Sequence, residues 1–119
     1  MTGRIFRSST ARGWTAALLL CGAAWTGAAQ AGDADAAALD RGRMLFTGGA
    51  TPACAICHTL ADADAAGAVG PSLDELKPDA ERVANVLRKG MGVMPSYAAL
   101  GEDDIAALAA YVAQAAAKP

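Results

Sequence analysis

Two of the three cysteines in this 119-residue chain lie directly before its only histidine, in the segment CAICH. Cys54 and Cys57 are separated by two residues, and His58 follows the second cysteine. Two thiols and an imidazole at this spacing serve three kinds of chemistry: a disulfide, a metal site, or the C-x-x-C-H attachment of a c-type haem. The remaining residues have to distinguish among these three.

Of the three, haem attachment requires the fewest further ligands or structural elements from the rest of the chain. A redox-active C-x-x-C disulfide normally follows a strand in a βαβ unit, and no alternating strand pattern is visible in this sequence. A structural zinc site needs four ligands, and beyond residue 31 the motif holds every Cys and His of the chain. The motif therefore favours one covalently attached haem c over the disulfide and the zinc site. Cys54 and Cys57 would form its thioethers, and His58 would be the proximal ligand of the iron.

The second axial ligand has to come from another residue type, because a second histidine does not exist. Met, Lys, water or an open position remain. Met44 falls within a predicted helix, whereas Met91 and Met94 lie in GMGVMPSY, where two glycines and a proline disfavour helix. Pro95 biases Met94 toward extended backbone and stiffens the segment. Met94 is therefore predicted to be a metal ligand, with Met91 as the alternative.

A short loop segment after the attachment motif supplies two more candidates. A metal-bound histidine generally donates its other ring N–H to a carbonyl or carboxylate, which fixes its tautomer and orientation. The carbonyl of Pro71, in the turn Gly70-Pro71, is a candidate acceptor. Leu73, two residues further on, is a candidate for packing against the porphyrin.

Residues 1–31 have the three parts of a secretory signal peptide. They contain three arginines and no acid, then an apolar run over 14–25, and they end in an A-x-A pattern at Ala31. The apolar run is shorter than the roughly 20 residues that a membrane span needs, which disfavours a retained anchor. Cleavage after Ala31 would leave a single domain over 32–119. Export also suits the motif, because c-type haem is attached after translocation.

The charge and composition of residues 32–119 narrow the possible partners. Three of the ten basic residues fall in the predicted signal, so seven remain against twelve acids, a formal net charge of −5. This balance argues against nucleic acid and anionic lipid, and it suits a protein partner with a basic patch. Only Phe46, Tyr97 and Tyr111 are aromatic in this part of the chain. A domain this small usually needs a staple such as disulfides, a metal or a cofactor, and one with so few large side chains needs it more than most.

The elements that would position the motif are all helical. The first predicted helix is capped by Asp33 or Asp35 and stopped by Gly48-Gly49, and a short helix from about Thr51-Pro52 carries the cysteines. A loop is predicted over 61–77. A further helix is predicted from Pro78-Asp79 to Lys89, where Gly90 ends it, and a last helix follows Gly101. In the first helix Leu39, Gly42 and Phe46 share one face. In the last helix Ile105, Leu108 and Val112 share a face, with Tyr111 beside them.

Four segments together resemble the class I c-type cytochromes across the whole of 32–119. CAICH matches the attachment motif of that family, GPSL its proline loop, VMPSY its methionine-ligand segment, and ALAAYV its C-terminal helix. The resemblance implies an all-α fold, the small class I cytochrome c fold, with four to five short helices around one covalently bound haem. It also implies cofactor contacts for Pro71, Leu73 and Tyr97, and a crossing of the first and last helices at Gly42, Phe46 and Tyr111.

The function implied by the resemblance is that of a periplasmic one-electron carrier in a respiratory chain, with redox partner proteins and no catalytic residue. A narrower resemblance, through LFT, PACAICHTL and GAVGPSLDELKPD, is to small monohaem cytochromes that accept electrons from bacterial sulfite dehydrogenases. The alternative is a non-catalytic haem c subunit held permanently in an oxidoreductase complex. A third interpretation is a gas-binding haem protein, but the usual four-helix version carries its attachment motif near the C-terminus, and CAICH lies near the start of 32–119.

Overall fold

The structure is a computed structural model that describes residues 27–119. The arginines and the apolar run of the predicted signal peptide lie outside the described residues. The helices are α1 (Gly27–Met44), which continues as a π-helical turn (Leu45–Gly49), α2 (Leu73–Leu76), α3 (Ala80–Lys89) and α4 (Glu102–Ala116). Short 3-10 turns cover Cys54–Ile56, Ala61–Ala63 and Ala98–Leu100, and two two-residue strands, β1 (Thr59–Leu60) and β2 (Ala65–Ala66), pair antiparallel.

The crossing of α1 and α4 forms the centre of the core. A Cβ atom on Gly42 would lie 2.5 Å from Cβ of Tyr111, so only glycine lets the two helices approach this closely. One turn further on, Phe46 is buried and meets Tyr111 edge to face, with ring centroids 6.1 Å apart. The predicted helix faces and their crossing are confirmed. Ile105, Leu108 and Val112 of α4 are buried beside them.

The start of the first helix differs from the prediction. Helix α1 already includes Gly27, the first residue that the structure describes, so Asp33 and Asp35 lie inside the helix, exposed, and neither caps its start. The stretch GAAQAG ahead of Asp33 is rich in alanine, and the high helix propensity of alanine carries the helix through it. The helical part of α1 that follows the predicted cleavage site is Gly32 to Met44.

The segment over 61–77 holds more structure than the loop predicted for it. Strands β1 and β2 form a small hairpin in which Leu60 is fully buried, and Asp64 takes a left-handed conformation (φ 51°) in its turn. Helix α2 follows, and the Ser72 hydroxyl accepts a hydrogen bond from the Glu75 amide at 3.4 Å. Strands of two residues are too short for a periodic sequence signal, so the pattern of side chains does not reveal them.

Helix α3 begins and ends as predicted, and α4 begins as predicted. The Asp79 carboxylate accepts a hydrogen bond from the Arg82 amide at 2.7 Å and caps α3, and Gly90 ends it with φ 73°. Helix α4 starts after Gly101 without a side-chain cap. Among residues 27–119, no helix combines the length and apolar character that crossing a membrane requires.

Candidate functional site: a cavity that gathers the cysteines, His58 and Met94

The attachment motif forms a single 3-10 turn. Ala53 is extended, and the chain then tightens so that the amides of Cys57 and His58 both donate to the Cys54 carbonyl, at 3.1 and 3.0 Å. The predicted helix from Thr51-Pro52 is therefore reduced to Cys54–Ile56. This tight turn brings both thiols and the imidazole to the lining of one cavity.

Burial raises the pKa of the Cys54 thiol to about 11. Desolvation is the main cause, because the thiol loses water that would stabilise its charged form. Redox-active C-x-x-C motifs have the opposite property, since a lowered pKa supplies the attacking thiolate. The environment of Cys54 therefore counts against the redox disulfide that the spacing left open.

His58 is oriented by the loop that follows it. Its Nδ1 atom lies 2.9 Å from the carbonyl oxygen of Pro71, and because a carbonyl only accepts, Nδ1 carries the proton. In the neutral imidazole, Nε2 is then the nitrogen without a proton and is available to ligate a metal. The Gly70 amide donates to the Cys57 carbonyl at 2.7 Å, which closes the loop against the attachment turn.

Gly70 makes room for the imidazole. A Cβ atom at this position would lie 2.5 Å from Cε1 and 2.8 Å from Nδ1 of His58. Any side chain there would push the ring away from the Pro71 carbonyl. The Gly70-Pro71 pair thus combines two roles, a space for the ring and an acceptor for its N–H.

The segment over 90–97 is irregular, as predicted, and forms a tight turn. The amides and carbonyls of Met91 and Met94 are bonded reciprocally at 3.0 and 2.9 Å, with Gly92 between them at φ 58°. Both methionines contribute to the cavity lining, but Met91 is 63% exposed, whereas Met94 is partly buried against the hydrophobic core. Met44 is exposed on α1 and is not among the residues lining the cavity.

One cavity of about 590 Å³ collects all of the predicted site residues. Its size lies within the roughly 300–1,000 Å³ that small-molecule and cofactor sites occupy. The predicted residues that line it are Cys54, Cys57, His58, Pro71, Leu73, Met94 and Tyr97. Its base is apolar and includes Phe46, Leu87, Leu108 and Val112.

These residues fit a covalently bound haem. An apolar macrocycle suits the apolar lining. The thiols of Cys54 and Cys57 precede the imidazole of His58 in one turn, and the thioether sulfur of Met94 is available on another segment. The cavity also explains the shortage of aromatic side chains, since the core is built around it. Haem supplies reversible one-electron chemistry at its iron when bound.

One polar residue of the site was not predicted from the sequence. Among residues 27–119, Arg82 is the only permanently charged residue lining the cavity. It belongs to the first turn of α3, and its amide is the one capped by Asp79. A charge on an amphipathic helix ordinarily predicts a solvent face, so only the packing of α3 reveals its place at the cavity.

Comparisons with known proteins identify the family of the chain. Residues 37–112 match the family model described as cytochrome C oxidase, cbb3-type, subunit III. Among solved structures, the c-type cytochrome SorU from Sinorhizobium meliloti is 51% identical, with a TM-score of 0.68. The alignment covers 70% of this chain and 95% of SorU. A search of curated proteins gave no significant match. The chain therefore belongs to this family of cytochrome c domains and is a monohaem class I c-type cytochrome, with one covalently attached haem c as its cofactor.

Proposed function

We propose that this cytochrome is a periplasmic one-electron carrier of a respiratory chain, with its haem iron held between His58 and Met94 and its haem attached through Cys54 and Cys57. One observation carries the proposal. A single apolar cavity gathers both thiols, the only histidine in an oriented state, and a methionine on a constrained turn. No catalytic residue is assigned, because two axial protein ligands leave no iron position for a substrate.

Each ligand has a defined task. The hydrogen bond to Pro71 keeps the His58 proton on Nδ1, fixes the ring plane and increases the basicity of Nε2. Met94 keeps outside ligands from the iron, and ligation by Met and His raises the reduction potential. Leu73 and Tyr97 supply contact to the macrocycle from α2 and from the segment after Met94.

Arg82 extends the proposal to the charged edge of the cofactor. Haem carries two propionate groups, and a guanidinium binds a carboxylate through paired hydrogen bonds. Arg82 is the permanent cation at the cavity, and within the described residues it forms no ion pair. It is therefore available to face a propionate. There its positive charge would disfavour the ferric state, which carries one more positive charge than the ferrous state, and would raise the reduction potential.

The proposed electron donor is a sulfite dehydrogenase. Support comes from the resemblance of LFT, PACAICHTL and GAVGPSLDELKPD to cytochromes that serve such enzymes, and the 51% identity to the c-type cytochrome SorU shows how close the chain is to a solved relative. The ferric protein should be reduced quickly by a sulfite dehydrogenase with sulfite, and only slowly by sulfite alone. Equal rates of reduction with and without the enzyme would contradict the assignment of a sulfite dehydrogenase as the donor.

A permanent haem subunit is the second candidate, and the description of the matching family as an oxidase subunit favours it. Four exposed apolar side chains also surround the cavity, Val69, Leu76, Met91 and Val93, and a stable complex would cover them. The two candidates differ in hydrodynamic size. A free carrier elutes from a native extract as a particle of about its own mass, whereas a subunit elutes with its complex.

The mass of the exported protein tests the proposal as a whole. Protein purified from the periplasm should have the mass of residues 32–119 plus one haem, and its pyridine haemochrome should be that of haem with two thioethers. The reduced protein should bind carbon monoxide poorly, because both axial positions are filled. Haem that acidic acetone extracts, or rapid binding of carbon monoxide, would contradict the assignment.

A further inference from the structure

The segment that carries Met94 is fastened to the end of α3. The Tyr97 amide donates to the Leu87 carbonyl at 2.6 Å, and the Ser96 hydroxyl donates to the Arg88 carbonyl at 2.7 Å. These two bonds fix the chain just after Met94 relative to one helix. They do not connect it to the attachment turn.

The connection to the attachment turn is made by the side chain of Tyr97. Its hydroxyl donates to the carbonyl of Pro52 at 2.9 Å, across 45 positions of sequence. Pro52 lies two residues before Cys54, and the Tyr97 side chain is buried, with 6% of its surface exposed. Within residues 27–119, this is the hydrogen bond that joins the segment over 91–97 to the segment over 51–58.

We infer that Tyr97 is a positioning residue for the distal ligand, through its hydroxyl rather than only its ring. Its amide is hydrogen-bonded to α3, and its hydroxyl is hydrogen-bonded to the chain just before the attachment turn. Tyr97 therefore links the segment that carries Met94 to the segment that carries the cysteines and His58. Holding them at a constant separation keeps the Met94 sulfur within reach of the iron. This inference rests on the proposed ligation by Met94.

The consequence concerns ligand displacement. An outside ligand such as imidazole binds the ferric iron only when the methionine segment moves away. Breaking the hydroxyl bond makes that movement easier, because the segment is then held only at α3. The apolar contact of the ring with the cavity would remain, since phenylalanine has the same ring.

Tyr97→Phe in the mature holoprotein is the test, with Tyr111→Phe as a matched control. Tyr111 is equally buried and its hydroxyl donates to Asp62 at 2.8 Å, but it does not line the cavity. Both changes delete one partly buried hydrogen bond. Tyr97→Phe should bind imidazole roughly two- to tenfold more tightly than the unchanged protein, and its far-red sulfur-to-iron band should disappear at a lower temperature. Tyr111→Phe should leave the imidazole affinity unchanged.

The outcomes separate the inference from the proposal beneath it. Unchanged imidazole affinity in Tyr97→Phe overturns the positioning role, and so does an equal rise in both variants, which would reflect general stability. Loss of the sulfur-to-iron band in Met91→Leu instead of Met94→Ala would show that the ligand assignment itself is wrong, whatever Tyr97→Phe does.

Discussion

The two axial ligands of the proposed site are held in place by different means. The ring of His58 is itself hydrogen-bonded, to Pro71, and rests on Gly70 within one loop closed by the Gly70–Cys57 bond. The Met94 sulfur accepts no hydrogen bond from the described residues, and its position follows from the backbone around it. The proximal ligand is oriented directly, whereas the distal ligand is oriented through the segment that carries it.

This difference predicts which side of the site yields first. A ligand held by its own hydrogen bond and by covalent attachment next to it is costly to displace. A ligand held only by its segment is released whenever that segment opens, and opening of small irregular segments has a low free energy. Changes on the distal side should therefore alter iron coordination while the fold survives.

The largest expected effect is the loss of the distal ligand in Met94→Ala. The far-red sulfur-to-iron band of the ferric protein should vanish, and the reduction potential should fall by on the order of 100 mV, because a sulfur ligand raises the potential. The ferrous protein should then bind carbon monoxide. Optical spectra and a redox titration measure all three.

Met91→Leu is the matched control for this experiment. Met91 lines the same cavity and is bonded to Met94 through the backbone, but its side chain is mostly exposed. The band should persist, and the stability should change by less than about 1.5 kcal/mol, as for other volume-conserving exchanges. The reverse pattern would make Met91 the ligand, and a band that survives both changes would point to Met44.

Gly70→Ala perturbs the proximal side next. The new Cβ would meet the His58 ring, which haem attachment and the Pro71 bond prevent from moving, so we expect a loss of about 1–3 kcal/mol of unfolding free energy and a shifted potential. Gly48→Ala is the control, because a Cβ there meets nothing within 4 Å. Equal thermal midpoints for the two variants would show that the ring has room to shift.

The contacts on the proposed proximal side could be predicted almost completely from sequence. Cys54, Cys57 and His58 are adjacent, their residue types specify the chemistry, and Pro71 follows from the need of a ligand histidine for an acceptor. The helix faces were equally accessible, because Gly42 and Phe46 of α1, and Leu108 and Val112 of α4, recur at helical spacing. Local chemistry and periodicity were sufficient in these places.

The contacts that sequence reasoning missed join residues far apart or lack a periodic signal. The Tyr97 hydroxyl meets Pro52 and the Tyr111 hydroxyl meets Asp62 only after the helices have packed. The β1–β2 pair is too short to show alternation, and Arg82 resembles an ordinary surface residue of α3. The start of α1 was misplaced because two good capping residues, Asp33 and Asp35, follow a stretch that is itself a good helix former.

The smallest expected effect concerns Asp62, whose contacts attach the loop between His58 and Gly70 to the rest of the fold. The Asp62 carboxylate, in the turn after β1, accepts a hydrogen bond from the Tyr111 hydroxyl at 2.8 Å and pairs with Lys118, while Arg43 lies 4.0 Å away. The bond from Lys118 is the main reason that the pKa of Asp62 is lowered, followed by the bond from Tyr111. Asp64, two residues on, is exposed and forms no ion pair within 27–119.

Because the folded pKa of Asp62 is lowered, its contribution to stability is present above the unfolded value of about 4 and is lost as the pH falls through the folded value. Asp62→Asn should therefore lower the unfolding free energy by about 1 kcal/mol at pH 7, and the difference from the unchanged protein should shrink below about pH 4. Asp64→Asn should change little at either pH, since asparagine tolerates the left-handed backbone there. The measurement is denaturant unfolding of the holoprotein across pH 3–7, with the sulfur-to-iron band recorded in parallel.

If the contacts of Asp62 stabilise the proximal side alone, the band should stay intact in Asp62→Asn at pH 7. A band lost at neutral pH would mean that the proximal and distal segments are coupled through the fold, and the contrast between them would not hold.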